Sequence, residues 1–458
     1  MKKVIILLSA VLLLSSCGLY NKYHRPDDVN TKGLFRDLMS DTDTLAVNSD
    51  ENFGNLPWRE VFTDPQLQSL IEKALAQNTD LRNAALNVDM MQKMLTVSKL
   101  AFLPSLTFSP TGSLSSFDGG SVTKAYSLPI TASWNVDLFG NLLSQKRSAQ
   151  VKLLATKDYQ VAVQTQVICG VANLYYTLMM LDEQLAIVTD MEGLTKETWE
   201  MMKLQKELGR VRSTGVQSAE ASYYSVQAQA AGLRQQIREI ENSMSLLLNE
   251  AGHQIQRGKF YNQSLPTNFA TGVGIQLLSN RADVHAAEMS LAQCFYDVET
   301  ARSRFYPSIT ITGSASFTNQ NGAVDPGKWL LSAVGSLTQP IFAHGQLVAG
   351  LKVAKATQEQ AFNTWQNLIL KAGNEVSNAL VSYNTNEEKS KLDAKQVTVL
   401  EQNVIDTKQL YASKGSSYIE VIQAQSSLLN ARISKVTDDF NKMQAVVNLY
   451  QALGGGSK

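Results

Sequence analysis

Residues Asn141 to Leu208 read NLLSQKRSAQ VKLLATKDYQ VAVQTQVICG VANLYYTLMM LDEQLAIVTD MEGLTKETWE MMKLQKEL. These 68 residues hold no proline, and their only glycines are Gly170 and Gly193. In the middle, Val167, Val171, Leu174, Leu178, Leu181, Leu185 and Val188 are spaced 4, 3, 4, 3, 4, 3. Such a heptad seam lets an α-helix pack lengthwise along another helix. At 1.5 Å per residue the stretch would run roughly 100 Å as one helix. A globular domain has no use for a rod of that length, so the chain builds something elongated. A second stretch of the same kind, Gln346 to Lys414, follows about 205 positions later.

Working outward, the surroundings of the two rods repeat as well. Phe102-Leu103-Pro104-Ser105-Leu106-Thr107 corresponds to Phe305-Tyr306-Pro307-Ser308-Ile309-Thr310, a shift of 203. Leu138-Phe139 and Ile341-Phe342 keep that shift, and Val216 to Glu220 matches Val421 to Gln425 at 205. A shift this constant through different local patterns indicates an internal duplication. All ten prolines fall within 26–129, at 266 or within 307–340, which leaves 130–265 and 341–458 free for long helices. Shorter helices are expected over 66–100, with Asp64 as N-cap and Pro65 at the first position, and over 216–251, ended by Gly252. Their counterparts are 277–305 and 417–452. Laid end to end, each pair matches the height of a rod, which suggests the wall of a tube.

Between the helices the period changes from 3.6 to 2. Tyr126, Leu128, Ile130, Ala132, Trp134 and Val136 alternate with Ser127, Pro129, Thr131, Ser133, Asn135 and Asp137. This is a hairpin strand with one apolar and one polar face. A membrane β-barrel has that pattern, and so does a half-buried soluble sheet. Two hairpins make four strands, too few to close a membrane barrel. An open edge cannot sit in lipid, so membrane strands here require several chains to share one barrel.

The N-terminus adds a location. Lys2 and Lys3 precede the apolar run Val4 to Leu14, followed by Ser15-Ser16-Cys17. A charged start, a short apolar core and small residues form a secretory signal. A cysteine directly after them resembles the bacterial lipoprotein cleavage box, which implies acylation of Cys17; an ordinary signal peptide cut nearby is the alternative. Cys169 and Cys294 lie in helical patterns and read as small buried hydrophobes rather than a disulfide framework. Beyond the N-terminus no 18-residue apolar run indicates a transmembrane helix. Net charge is 0 with 18% charged residues, which gives no basis for nucleic-acid binding. His24, His253, His285 and His344 are scattered without metal-ligand spacing. His285 with Asp283 and Glu288 reads as a polar helix face, and no catalytic constellation or cofactor motif emerges.

Several segments together resemble the TolC-like outer-membrane factor family, in particular its lipoprotein branch of multidrug efflux channels. They are Trp58…Phe62-Thr63-Asp64, Asn78-Thr79-Asp80-Leu81, Trp134 to Gly140, Arg281 to Glu288, Phe305 to Ile309 and Leu453-Gly454-Gly455-Gly456. The chain departs from that family at Ala282, usually proline, and at Gly215, often acidic. The resemblance implies a mainly α fold with β: long antiparallel helical hairpins forming a periplasmic α-barrel. Four transmembrane strands per chain would complete a shared 12-stranded barrel in a homotrimer. It implies a lipid-anchored, barrel-spanning protein of the outer membrane that reaches into the periplasm. Its partners would be a periplasmic adaptor protein, an inner-membrane pump, usually proton-driven, and outer-membrane lipid at acylated Cys17. By the same resemblance the tip residues Gly209, Arg210, Val211, Arg212, Ser213, Lys414, Gly415 and Ser416 dock the adaptor, and Asp406 lines the tunnel gate as a cation-selective ring. Plain glycine-capped turns and a solvated aspartate are the alternatives.

The expected layout is a signal peptide over 1–16, a lipid-anchored arm over 17–65, a first repeat over 66–252, a linker over 253–274, a second repeat over 275–454 and a tail over 455–458. The expected function is that of an exit duct passively conducting small molecules, with no catalysis of its own. The same duct serving type I-like protein or peptide secretion is one alternative. A lipoprotein scaffold without a pore is another.

Overall fold

The computed structural model describes residues 21–26, 53–116, 118–120, 122–266, 281–319, 328–413 and 417–456. Cys17, the signal segment, Lys414, Gly415 and Ser416 lie outside the described residues. The helices are α1 (Trp58–Val61), α2 (Pro65–Gln77), α3 (Thr79–Leu100), α4 (Asn141–Glu207), α5 (Ser213–Leu247), α6 (Ala282–Ser303), α7 (Gln346–Ala412) and α8 (Tyr418–Ala452). The strands are β1 (Ser105–Phe108), β2 (Thr111–Ser115), β3 (Thr123–Val136), β4 (Ser308–Asn319) and β5 (Lys328–Thr338). Helix lengths repeat residue for residue: 22 in α3 and α6, 67 in α4 and α7, 35 in α5 and α8. Among the described residues no helix is long and apolar enough to cross a membrane.

Both rods are therefore single helices. The two compact units of the chain cut across its order: one gathers Met1–Asn30, Leu86–Asp158 and Asp283–Leu368, the other Thr31–Ala85, Tyr159–Ala282 and Ile369–Lys458.

The first unit holds the sheet, ordered β1-β3-β4-β5 with β2 also on β3, all antiparallel. It is four strands wide, because β1 and β2 follow one another along the same edge of β3. Pro110 separates them. Pro129 stands opposite that gap: its carbonyl accepts from Ser109 N–H at 3.3 Å. N–H and C=O of one strand residue point to the same neighbour, so the donor that Pro129 lacks is absent where the edge strand is interrupted. A proline thus fits the interior strand without breaking its ladder to β4.

The second unit holds the main core, centred on α4. Val167, Val171, Leu178, Leu181 and Val188 of the heptad seam are buried, with Leu174 and Leu185 packed against them. Asp64 caps α2 as its position suggests, Oδ1 accepting from Gln66 N at 2.8 Å. Its Oδ2 accepts from Tyr175 Oη and from Gln263 Nε2, both at 2.8 Å, so one carboxylate joins α2, α4 and the segment after α5.

Three local expectations are corrected. The helix over 66–100 is broken at Asn78, which is buried. Its side chain accepts from Asp80 N and Leu81 N and donates to Leu247 O at 3.0 Å. Asparagine gains more by capping than by continuing a helix. The α5 helix stops at Leu247 rather than near Gly252, because Asn249 takes the left-handed conformation (φ 56°). Asn249 N then bonds Leu246 O and Glu250 N bonds Ser245 O, which closes a Schellman motif. Cys169 is fully buried, and burial pushes its thiol up to about 12, whereas Cys294 is only half-buried.

Candidate functional site

The sheet is built so that its pleat sorts the side chains. Register places Leu106 and Phe108 beside Ala132 and Ile130 respectively, then Gly313 and Ala315, then Ala333 and Leu331. The opposite face carries Thr131 and Ser133 beside Ser314 and Thr312. Leu106, Phe108, Ile130, Ile311, Leu331 and Leu337 are exposed on the apolar face. An apolar face of that extent left to water is unfavourable at about 25 cal/mol per Å², so it faces an apolar medium.

Aromatic residues bound that face at both ends. Phe317 sits between Tyr126, 6.3 Å away, and Trp329, 5.6 Å away. At the other end Trp134 Nε1 donates to Phe102 O at 2.9 Å, and Phe139 stacks on Tyr306 at 5.2 Å. Tyr126 and Trp134 are eight residues apart on β3, or roughly 26 Å along a strand. An apolar band between aromatic girdles matches the pattern of strands that cross a bilayer. Asp137 Oδ2 accepts from Leu143 N at 2.8 Å and Oδ1 from Leu142 N at 3.1 Å, which fixes the turn from β3 into α4. A 530 Å³ cavity lies at this junction, lined in part by Asp137, Phe139, Tyr306 and Pro340.

The turn after α4 forms the second feature. Gly209 is left-handed (φ 68°); its N–H bonds Lys206 O, and Arg210 N bonds Gln205 O, both at 2.9 Å. This Schellman geometry leaves Gly209, Arg210, Arg212 and Ser213 exposed and Val211 half-buried over Met202, Val216 and Ala219. Gly215 is buried beneath Met202 and Tyr418. Tyr411 donates to Gln205 Oε1, which ties α7 to the end of α4. Trp199 stacks on Tyr223 at 5.5 Å, with Lys203 Nζ 3.3 Å from the Trp199 ring centre. Asp406 is exposed on α7, where its Oδ1 accepts from Gln402 Nε2 at 2.8 Å, and it points away from its buried neighbours Val404 and Thr407. Asp406 and the turn residues belong to the same unit.

Two further features are not visible in the sequence pattern. Residues 21–26 lie along α6, where Arg25 forks onto the buried carboxylate of Glu288 (Nε–Oε1 2.8 Å) and Tyr23 N donates to Tyr296 Oη. His285 contacts Asp158 Oδ2 at 2.7 Å. The supposed polar face of α6 is therefore a packed one, with Glu288 and His285 engaged by separate partners. In the second unit Arg257 bridges Asp182 and buried Glu241, and these hydrogen-bonded carboxylates hold its guanidinium even further above the usual range. A polar residue every third or fourth position of α6 was the available signal; only the fold reveals the partners.

The outer membrane efflux protein model matches the chain twice, over residues 70–250 and 274–455. The probable outer membrane lipoprotein SilC of Salmonella typhimurium is 28% identical over 469 residues, covering 98% of each chain. The cation efflux system protein CusC of Escherichia coli K12 is 26% identical, with 97% of each chain covered. A crystal structure of CusC aligns with a TM-score of 0.81 at 26% identity, over 88% of this chain and 96% of that one. The open-state MtrE outer membrane channel of Neisseria gonorrhoeae also aligns at 0.81 and 26%, over 96% and 98%. With both halves matched and the two-faced sheet and long helices in place, the chain belongs to the outer membrane efflux protein family.

Proposed function

We propose that three copies of this chain form the exit duct of a tripartite efflux system in the outer membrane. The observation that carries the reading is the sheet: four strands wide, open at both edges, with segregated apolar and polar faces. Unpaired backbone groups cost several kcal/mol each in hydrocarbon, so the edge strands β1/β2 and β5 need partners from other copies. Three copies would give a 12-stranded barrel with its polar face to the lumen. The long helices would continue into the periplasm toward an adaptor and an inner-membrane pump, and energy for transport would come from that pump.

Cys17 is assigned the lipid anchor. The turn Gly209 to Ser213, with Lys414, Gly415 and Ser416, is assigned the adaptor-docking tip; its support is the rigid Schellman turn and the exposed Arg210 and Arg212. Asp406 is assigned a place at the tunnel constriction, supported by its exposure. A threefold ring of carboxylates in a narrow pore would favour cations. Small molecules or ions are the proposed cargo, in line with the cation and toluene efflux named for relatives. Deleting the gene should raise susceptibility to at least one class in a panel of metal salts, solvents and drugs. Unchanged susceptibility across the panel, with secretion of a protein lost instead, would overturn the efflux reading.

A further inference from the structure

Charge is distributed unevenly along the helices. The chain as a whole is neutral, with 41 basic and 41 acidic residues. Four helix ends adjoin the sheet in sequence: the last ten residues of α3 and α6 and the first ten of α4 and α7. They hold seven lysines and arginines against two acidic residues, Asp297 and Glu299. Both acidic residues are engaged locally: Glu299 accepts from Arg302 Nη1 at 2.6 Å, and Asp297 accepts from Ser148 Oγ at 2.8 Å. Among the described residues, Lys22, Lys99 and Lys146 stand in no ion pair. The first unit therefore carries an excess of positive charge where its helices meet the sheet.

Local contacts fix the side on which part of this charge stands. Trp134 belongs to the apolar face, opposite Ile311 in the register, and its Nε1 donates to Phe102 O. Lys146 Nζ lies 5.8 Å from the centre of the Phe102 ring, so this ammonium sits beside the aromatic girdle on the lipid side of the sheet. Next along α4, Arg147 donates to Asn21 O at 3.1 Å and stands over the Tyr296 ring at 5.9 Å. Asn21 is four residues from Cys17, the assigned lipid anchor, or at most roughly 14 Å of extended chain. That short tether keeps Arg147 and Lys22 near the same leaflet. Lys99 is exposed one helical turn before Phe102. Basic side chains beside a girdle of this kind attract an anionic leaflet over about a Debye length, whereas zwitterionic headgroups offer no net charge to attract. We propose that Lys22, Lys99, Lys146 and Arg147 form a collar that binds the phosphates of anionic phospholipids in the periplasmic leaflet of the outer membrane. The collar fixes the level at which the helices leave the bilayer. This inference rests on the reading of the chain as a lipid-anchored membrane duct.

The test is native mass spectrometry of the delipidated, mature protein in detergent. It is titrated with phosphatidylglycerol or with phosphatidylcholine of the same acyl chains. Wild type should hold phosphatidylglycerol at least about fivefold more tightly, the effect expected of one well-placed basic residue. Lys99→Gln combined with Lys146→Gln should erase most of that preference, and Lys99→Arg combined with Lys146→Arg should keep it. The charge-matched pair Lys196→Gln and Lys395→Gln, far along α4 and α7, should also keep it. Equal retention of both lipids by wild type, or an equal drop in the collar variant and the charge-matched control, overturns the proposal. Binding of wild type to purified peptidoglycan that the collar variant loses, with no lipid preference, would assign the collar to the anionic cell wall and overturn it as well. Planar-bilayer conductance of the same preparation reports on the duct separately. A conducting oligomer without lipid preference refutes the collar alone. A non-conducting monomer refutes the duct reading itself, and the inference with it.

Discussion

Gly455→Ala should cost far more than a surface glycine replacement. A Cβ at Gly455 would lie 2.4–2.5 Å from three ring atoms of Tyr450. That ring has nowhere to go: it is fully buried, with Phe53 at 5.6 Å and Phe62 at 5.8 Å. Its hydroxyl donates to Leu56 O and accepts from Gly456 N, both at 2.8 Å. Overpacking of this kind costs about 1–3 kcal/mol, and displacing the ring loses two hydrogen bonds at about 1 kcal/mol each. The sum is roughly 3–5 kcal/mol. The assay is denaturant unfolding of the purified protein in detergent, followed by helical circular dichroism. Tyr450→Phe keeps the ring and should lose about 1–2 kcal/mol. In a Tyr450→Leu background the ring is gone, so Gly455→Ala should cost under about 1 kcal/mol, a coupling that a double-mutant cycle isolates. A Gly455→Ala loss below about 0.5 kcal/mol, or an equal loss in both backgrounds, would refute the clash.

Other consequences can be measured separately. Asn78→Ala removes the cap of α3 and the donor to Leu247 O, and should lower stability by roughly 2 kcal/mol in the same unfolding assay. Gly209→Val forces a β-branched residue into a left-handed turn; it should speed amide exchange around Lys206–Arg210 by about tenfold, while Gly209→Asn should stay near wild type. With its thiol pushed up to about 12, Cys169 is about 10⁻⁴ thiolate at pH 8, so iodoacetamide should label Cys294 first and Cys169 only after unfolding. Raising the pH increases the thiolate fraction tenfold per unit, so Cys169 labelling at pH 8 as fast as in the denatured chain would contradict its burial. Arg25→Ala frees the arm from Glu288 and should make Lys22 markedly more susceptible to trypsin; unchanged cleavage would mean that the fork does not hold the arm.

The features visible in sequence are those with a period. Two proline-free stretches and one seam sufficed for α4 and α7, and alternation around Trp134 sufficed for β3, because burial on one face imposes 3.5- or 2-residue spacing. The details that escaped depend on contacts distant in the chain. Asn78 ends a helix because Leu247 offers it an acceptor 169 residues away. Pro129 fits its strand because Pro110 interrupts the neighbouring one. Glu288 looked solvated until Arg25 reached it across 263 residues. The closing glycines were recognisable as a motif, but their reason, the Tyr450 ring, comes only from packing. Of the candidate sites, the Gly209 turn was legible because glycine followed by a fresh helical pattern signals a C-cap. The placement of Asp406 on an exposed helix face follows from the seam around it.

The central claim is that several copies of this chain share one membrane barrel. Native mass of the detergent-solubilised, mature protein tests it most directly. The account predicts three times the chain mass, with added acyl mass that maps to Cys17. A water-soluble monomer without acyl mass would contradict it, because the open edges of the sheet would then have no lipid to avoid and no partner strands to meet.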